Sequence, residues 1–122
     1  MTKTEIESRL KDFYGTSSYH STLVPNIKCT DGVHEMRELC QAYWLVDDIA
    51  LNYQVLSGSK KEFCIAQLDV TGSEADLTLG QDTDERGKLI VDIHQKIEYT
   101  DFPLDSIKFF IQNDVIMLPT EY

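Results

Sequence analysis

The chain is short of positive charge. Eleven Lys and Arg stand against twenty-one Asp and Glu, a formal net charge of −10. A surface of that sign repels nucleic-acid phosphates and anionic lipid, so no direct nucleic-acid binding and no membrane association are expected, and a protein partner with a basic surface is favoured. Long apolar runs are missing as well. No stretch approaches the roughly 18 residues needed to span a bilayer, and Met1-Thr2-Lys3-Thr4-Glu5 lacks the apolar core of a signal peptide, so the expected location is cytoplasmic. Cysteine is scarce: Cys29, Cys40 and Cys64 are three in number and irregularly spaced, which suits reduced, buried thiols better than a disulfide framework. No glycine-rich phosphate loop is present, and no cofactor is expected.

What the chain does have is enough apolar material for one core. At 122 residues and 42% apolar composition, folding buries about two-thirds of the unfolded surface, and residues 1–122 are expected to form a single domain. The acidity is uneven. Residues 1–60 carry eight acids and six bases, a net of −2, whereas residues 61–122 carry thirteen and five, a net of −8.

Helical periodicity fills the first half. Thr4-x-x-Glu7 reads as a capping box, with Ile6, Leu10 and Phe13 on one face and Gly15 as a stop, giving a helix over about 4–14. Thr16 to Cys29 has no period and reads as a loop pinned by Tyr19, Leu23, Val24 and Ile27. Thr30 or Asp31 then caps a long helix to Leu56, with an apolar stripe through Leu39, Ala42/Tyr43, Val46, Ile49/Ala50 and Tyr53, ended by Ser57-Gly58-Ser59. Trp44, Leu45 and Leu51 widen its apolar surface beyond one face.

From Phe63 the period becomes two. Cys64 to Val70 and Ala75 to Leu79 form a hairpin about Thr71-Gly72-Ser73. A third strand points Leu89, Val91, Ile93, Ile97 and Tyr99 inward and Asp92, His94, Lys96 and Glu98 outward. Residues 104–112 fit either a helix after Pro103 or a strand. The strand is favoured, because Asn113-Asp114 then turns Ile107–Ile111 onto Val115–Leu118 and sets Phe110 opposite Met117 on the outer side. The expected fold class is α+β, with two N-terminal helices on one face of an antiparallel meander of about five strands.

Few residues suggest chemistry. Asp82-x-Asp84 starts like a calcium loop, but Arg86 and Ile93 occupy ligand positions, which favours a polar hairpin loop. Cys29, His34 and Cys40 offer soft ligands whose helical spacing points them apart, so no metal is expected. His94 reads as a solvated residue. Asp47 shares a helical face with Cys40 and Tyr43, so it is expected to be partly buried and in need of a partner, as a general base or as an acceptor that docks a loop amide. The outer sheet face, with Asp69, Asp76, Asp92, Glu98, Phe110 and Met117, is the candidate binding surface. Asp101, before Phe102-Pro103, is expected to close a turn that aims Phe102 into the core.

Four strings carry a resemblance: Thr30-Asp31-Gly32, Ala42-Tyr43-Trp44-Leu45-x-Asp47-x-Ile49, Tyr99-Thr100-Asp101-Phe102-Pro103-Leu104 and Leu118-Pro119-Thr120-Glu121-Tyr122. Together they resemble a family of short bacterial, plasmid and phage proteins known only as a domain of unknown function. The resemblance implies a cytosolic accessory protein, often of mobile elements, and supplies no catalytic residue. Three functions follow as expectations: a non-enzymatic protein-interaction module; an acidic mimic of nucleic acid that blocks a restriction or CRISPR enzyme; and a small enzyme centred on Asp47 with Tyr43 or His34. A second copy of the chain is a further candidate partner. The mimic is pressed by magnitude, since a duplex as long as this domain's roughly 35 Å diameter carries about 20 charges, twice the net charge here.

Overall fold

A computed structural model describes residues 2–56 and 62–122. The fold is α+β. Its elements are α1 (Lys3–Leu10), β1 (His20–Ser21), β2 (Lys28–Cys29), α2 (Asp31–Leu39), α3 (Tyr43–Gln54), β3 (Cys64–Thr71), β4 (Glu74–Thr83), β5 (Leu89–Ile97), β6 (Ser106–Gln112) and β7 (Val115–Met117), followed by a 3-10 turn at Pro119–Glu121. The expected helix stop at Ser57-Gly58-Ser59 lies outside the described residues.

The first helix is capped two residues earlier than expected. Thr2, not Thr4, is its cap: Thr2 Oγ1 accepts from the Glu5 amide at 3.2 Å, and the Glu5 carboxylate accepts from the Thr2 amide at 3.3 Å. The pair forms the reciprocal box that satisfies free first-turn donors. The helix ends at Leu10, after burying Ile6 and Leu10.

The long helix expected over 30–56 is two helices. At the break Gln41 takes φ +51°. Its amide reaches back to the Glu38 carbonyl at 3.4 Å, and the Ala42 amide reaches Arg37 at 2.9 Å. That double closure is a Schellman cap built on a non-glycine residue. Length supplies a reason for it. Twenty-seven residues of straight helix run about 40 Å, longer than a domain of about 35 Å diameter. Broken, the segment buries Val33 and Met36 from α2 and Leu45, Val46, Ile49, Ala50 and Tyr53 from α3.

The sheet has seven strands in the order β1-β2-β7-β6-β3-β4-β5 among the described residues, with β2 and β7 parallel and every other pair antiparallel. Two corrections follow. Part of the segment read as a loop supplies β1 and β2. In addition, β6 returns to lie beside β3, so β3 to β6 form a Greek key instead of a meander. The returning connection crosses the β3–β4 turn, where the Thr100 amide bonds the Ser73 carbonyl at 2.7 Å and the Val70 amide bonds the Asp105 carbonyl at 2.8 Å. Phe102 is buried, but Thr100, not Asp101, makes the turn: its hydroxyl accepts from the Phe102 amide at 3.1 Å.

Alternation holds through β3, β4 and β6. Cys64, Ala66, Leu68, Leu77, Leu79, Phe109 and Ile111 point into one core with the helix residues above. The expected register of Phe110 against Met117 and Ile111 against Ile116 is present.

In β5 the alternation fails. Leu79 pairs with Ile93 but Gly80 pairs with Val91, so Asp92 is an extra residue in a bulge. Gly80 is required there, because a Cβ would overlap the Ile90 carbonyl oxygen. Ile93 and Ile97 pack against the core, whereas Val91 is 48% exposed and lines a depression with Leu89, Gln67, Thr78 and Lys108. The expectation that Leu89 and Val91 face inward is thus wrong, because the bulge reverses the strand's parity. Tyr99, also expected inward, is exposed.

Candidate functional site

Two places concentrate polar or aromatic groups. The first is the outer face of the sheet, where β3 and β4 set Asp69 directly opposite Asp76. Like charges in cross-strand register repel, and the neighbours offset this. His94 Nε2 lies 2.7 Å from Asp76, Lys96 Nζ lies 3.8 Å from Asp76 and 3.6 Å from Glu74, and Gln67 donates to Asp69 at 3.1 Å. The hydrogen bond with His94 holds the Asp76 carboxyl below its ordinary range. His94 is therefore paired, not simply solvated. Lys108 interrupts the acids on the same face.

At the other end of this face three rings meet. Phe63, Phe110 and Tyr122 have centroids 5.3 to 5.4 Å apart, tilted or edge-to-face, the geometry aromatic quadrupoles prefer. Met117 stands across from Phe110. Of the surface residues expected together, Asp69 with Asp76 and Phe110 with Met117 are brought together. Asp92 sits in the bulge and Glu98 lies past the end of β5, so neither joins them.

The second place was not visible as a group in the sequence. Laying β1 beside β2 brings His20 to α2, where its Nε2 lies 2.8 Å from Asp31 Oδ1. Asp31 Oδ2 accepts the Ser17 amide at 2.9 Å. Both contacts hold the Asp31 carboxyl below its usual range, the histidine contributing most. The His20 ring stacks on His34 with centroids 4.1 Å apart and planes within 6°. Arg37, only 5% exposed, donates through Nε to His34 Nδ1 at 3.0 Å and through Nη1 to the Ser21 carbonyl at 2.9 Å. Its guanidinium lies 4.5 Å over the Tyr43 ring. Burial, then the charges of His20 and Arg37, push the His34 pKa down. Only His34 and Tyr43 of this group were singled out for chemistry by sequence reasoning. His20 fell in a segment without period, and Arg37 gave no pattern that distinguished it from an ordinary helix-surface cation.

Tyr43 differs from expectation. Tyr43 is 43% exposed, and its hydroxyl donates to Glu38, which raises its pKa. The helix break makes it the first residue of α3 instead of a mid-helix core position. Asp47 is half-buried and accepts the Leu23 amide at 3.0 Å, tying the incoming segment to α3. The break also removes Cys40 from Asp47's helix. Asp48, raised in pKa by burial, accepts from Gln95 at 3.3 Å.

No group of three or more His, Cys, Asp or Glu among the described residues is placed to hold a metal ion. Asp84 of the calcium-like loop accepts the Arg86 and Lys88 amides at 2.9 Å, closing its own turn. The three thiols are buried, each pushed up to about 11 by desolvation. An apolar groove of about 240 Å³ lies between α1 and β6, lined by Leu10, Leu104, Ile107 and Leu118 among others.

A model of a family of unknown function, DUF6876, matches residues 4–122. The chain belongs to that family. No curated protein and no solved structure matches it. Among the described residues of this DUF6876 member, no helix is long and apolar enough to cross a membrane.

Proposed function

We propose that this chain is a protein-interaction module that docks through the outer face of its sheet, with the helices covering the opposite face and no catalysis of its own. The observation that carries the reading is the ring cluster of Phe63, Phe110 and Tyr122 beside Met117. Tyr122 is exposed and Phe63, Phe110 and Met117 are half-buried; aromatics with a sulfur-bearing neighbour make adaptable, high-area anchors. The acids of Asp69 and Asp76 further along the face favour a partner whose apolar contact is rimmed by basic side chains. Such a partner fits a cytoplasmic accessory protein of bacteria or their mobile elements.

The nucleic-acid mimic, as an anti-CRISPR or anti-restriction inhibitor, needs an unbroken row of carboxylates. His94 and Lys96 pair with Asp76, and Lys108 shares the face, so the row is broken where the mimic needs it continuous. An enzyme centred on Asp47 is disfavoured by its bond to the Leu23 amide, which occupies the carboxylate in a tie between segments.

Affinity capture with the wild-type chain and with Phe110→Ser tests the proposal. A specific basic protein should be retained by the wild type, released as salt rises, and lost with Phe110→Ser while circular dichroism is unchanged. Equal retention by Phe110→Ser overturns the assignment to this face.

A further inference from the structure

We infer that His34 is a pH-responsive latch: neutral, it holds residues 16–24 against α2 through Arg37 and His20, and protonated, it lets that segment go. The geometry fixes the tautomer. Arg37 Nε donates to His34 Nδ1 at 3.0 Å, so the neutral ring carries its proton on Nε2. A second proton has to enter at Nδ1, where it confronts the Arg37 N–H, donor against donor and cation against cation. Arg37 is buried and cannot turn to water without releasing the Ser21 carbonyl of β1 and leaving the Tyr43 ring. The stacked His20 ring, 4.1 Å away, loses its neutral neighbour in the same step.

The other groups facing His34 bear on the balance. Glu38 Oε1 lies 3.6 Å from His34 Nε2 and, with Glu35, favours the cation. Glu38 is exposed and already accepts the Tyr43 hydroxyl, so it offsets the Arg37 conflict only in part. Asp31 faces His20, not His34, and so does not favour the His34 cation. His34 is therefore the group whose proton opens the segment.

The sign follows from linkage. The closed form disfavours the proton on His34, as its lowered pKa also indicates, so the open form binds more protons and closure weakens as pH falls through about 6.5. With an open-form pKa of about 6.5 and no protonation of the closed form, going from pH 7.5 to 5.5 raises the open-to-closed ratio about tenfold.

Amide hydrogen exchange, expressed as protection factors so that the intrinsic pH dependence cancels, reads this directly. Residues 17–24 should lose about tenfold in protection between pH 7.5 and 5.5 while α3 and β3 keep theirs. His34→Gln retains a neutral acceptor for Arg37 and should remove most of that loss. A wild-type change under twofold, or an equal loss in His34→Gln, overturns the latch. Ring NMR of the wild type gives a second check that needs no variant. The Ser21 amide and Arg37 Nε signals should move with the His34 midpoint, and their silence through that midpoint overturns the inference as well.

Discussion

Replacing a helical glycine with alanine ordinarily stabilises a helix by about 1 kcal/mol. At Gly32, the second residue of α2, the structure reverses the sign. A Cβ there lies 2.6 Å from Glu121 Oε1, 2.8 Å from Glu121 Cδ and 2.8 Å from Leu118 Cδ1. The Glu121 side chain is not free to swing aside, because its carboxylate accepts from the Thr30 hydroxyl at 2.6 Å, the Gly32 amide at 3.1 Å and the Leu118 amide at 3.0 Å. It also sits at the positive end of α2, where an anion is favoured. Displacing it forfeits three hydrogen bonds to a charged group. Because Glu121 is only partly buried and water can replace some of these bonds, about 1 kcal/mol each is a moderate figure. Against the propensity gain of about 1 kcal/mol, the net cost of Gly32→Ala is about 2 kcal/mol, a fall in melting temperature of about 6–10 °C for a chain of this length. Thermal unfolding by circular dichroism measures it. In a Glu121→Ala background the same substitution should cost less than half as much, since most of the conflict has been removed. A Gly32→Ala protein as stable as the wild type refutes the reasoning, as does equal cost in both backgrounds.

Asp47→Ala should lower stability by about 1 kcal/mol through loss of the Leu23 amide's acceptor, whereas Asp47→Asn keeps an acceptor oxygen and should change the melting temperature by no more than a degree or two; equal effects of the two refute a hydrogen-bonding role. Native Cys29, Cys40 and Cys64, buried and pushed up to about 11, should resist iodoacetamide at pH 8 and react fully in denaturant. Mass spectrometry showing rapid native alkylation of any of the three contradicts their burial.

Most of the strand half was legible because alternation is local. Cys64 to Val70 and Ala75 to Leu79 each show their inner residues without reference to a neighbour, and Asn113-Asp114, both at positive φ, mark the last hairpin. What failed depended on a distant part of the chain. Nothing in Leu89–Ile97 announces the bulge at Asp92; the signal is Gly80 on the neighbouring strand, where the close approach of Ile90 excludes a side chain. The break at Gln41 has no Gly or Pro to mark it, and only the length of the helix against the width of the domain argues for it. The strands β1 and β2 are two residues each, too short for any period to register. His20 could be joined to Asp31 and His34 only once β1 was laid beside α2.

The strings behind the resemblance fall, in this structure, where the chain has to be held together. Thr30 and Gly32 meet Glu121 of the last string in one hydrogen-bonded clamp. Ala42-Tyr43 lies at the helix break, and Thr100 to Leu104 make the crossing that turns a meander into a Greek key. Each of these places is where one segment must recognise another that is remote in sequence, which periodicity cannot enforce, so specific residues do it instead. Of those strings, only Tyr122 reaches the ring cluster; Phe63, Phe110 and Met117 lie outside all four. A surface built from residues that the architecture does not require is free to be tuned to a partner, and that freedom is a reason to look for binding on the outer sheet face before any of the resemblance strings.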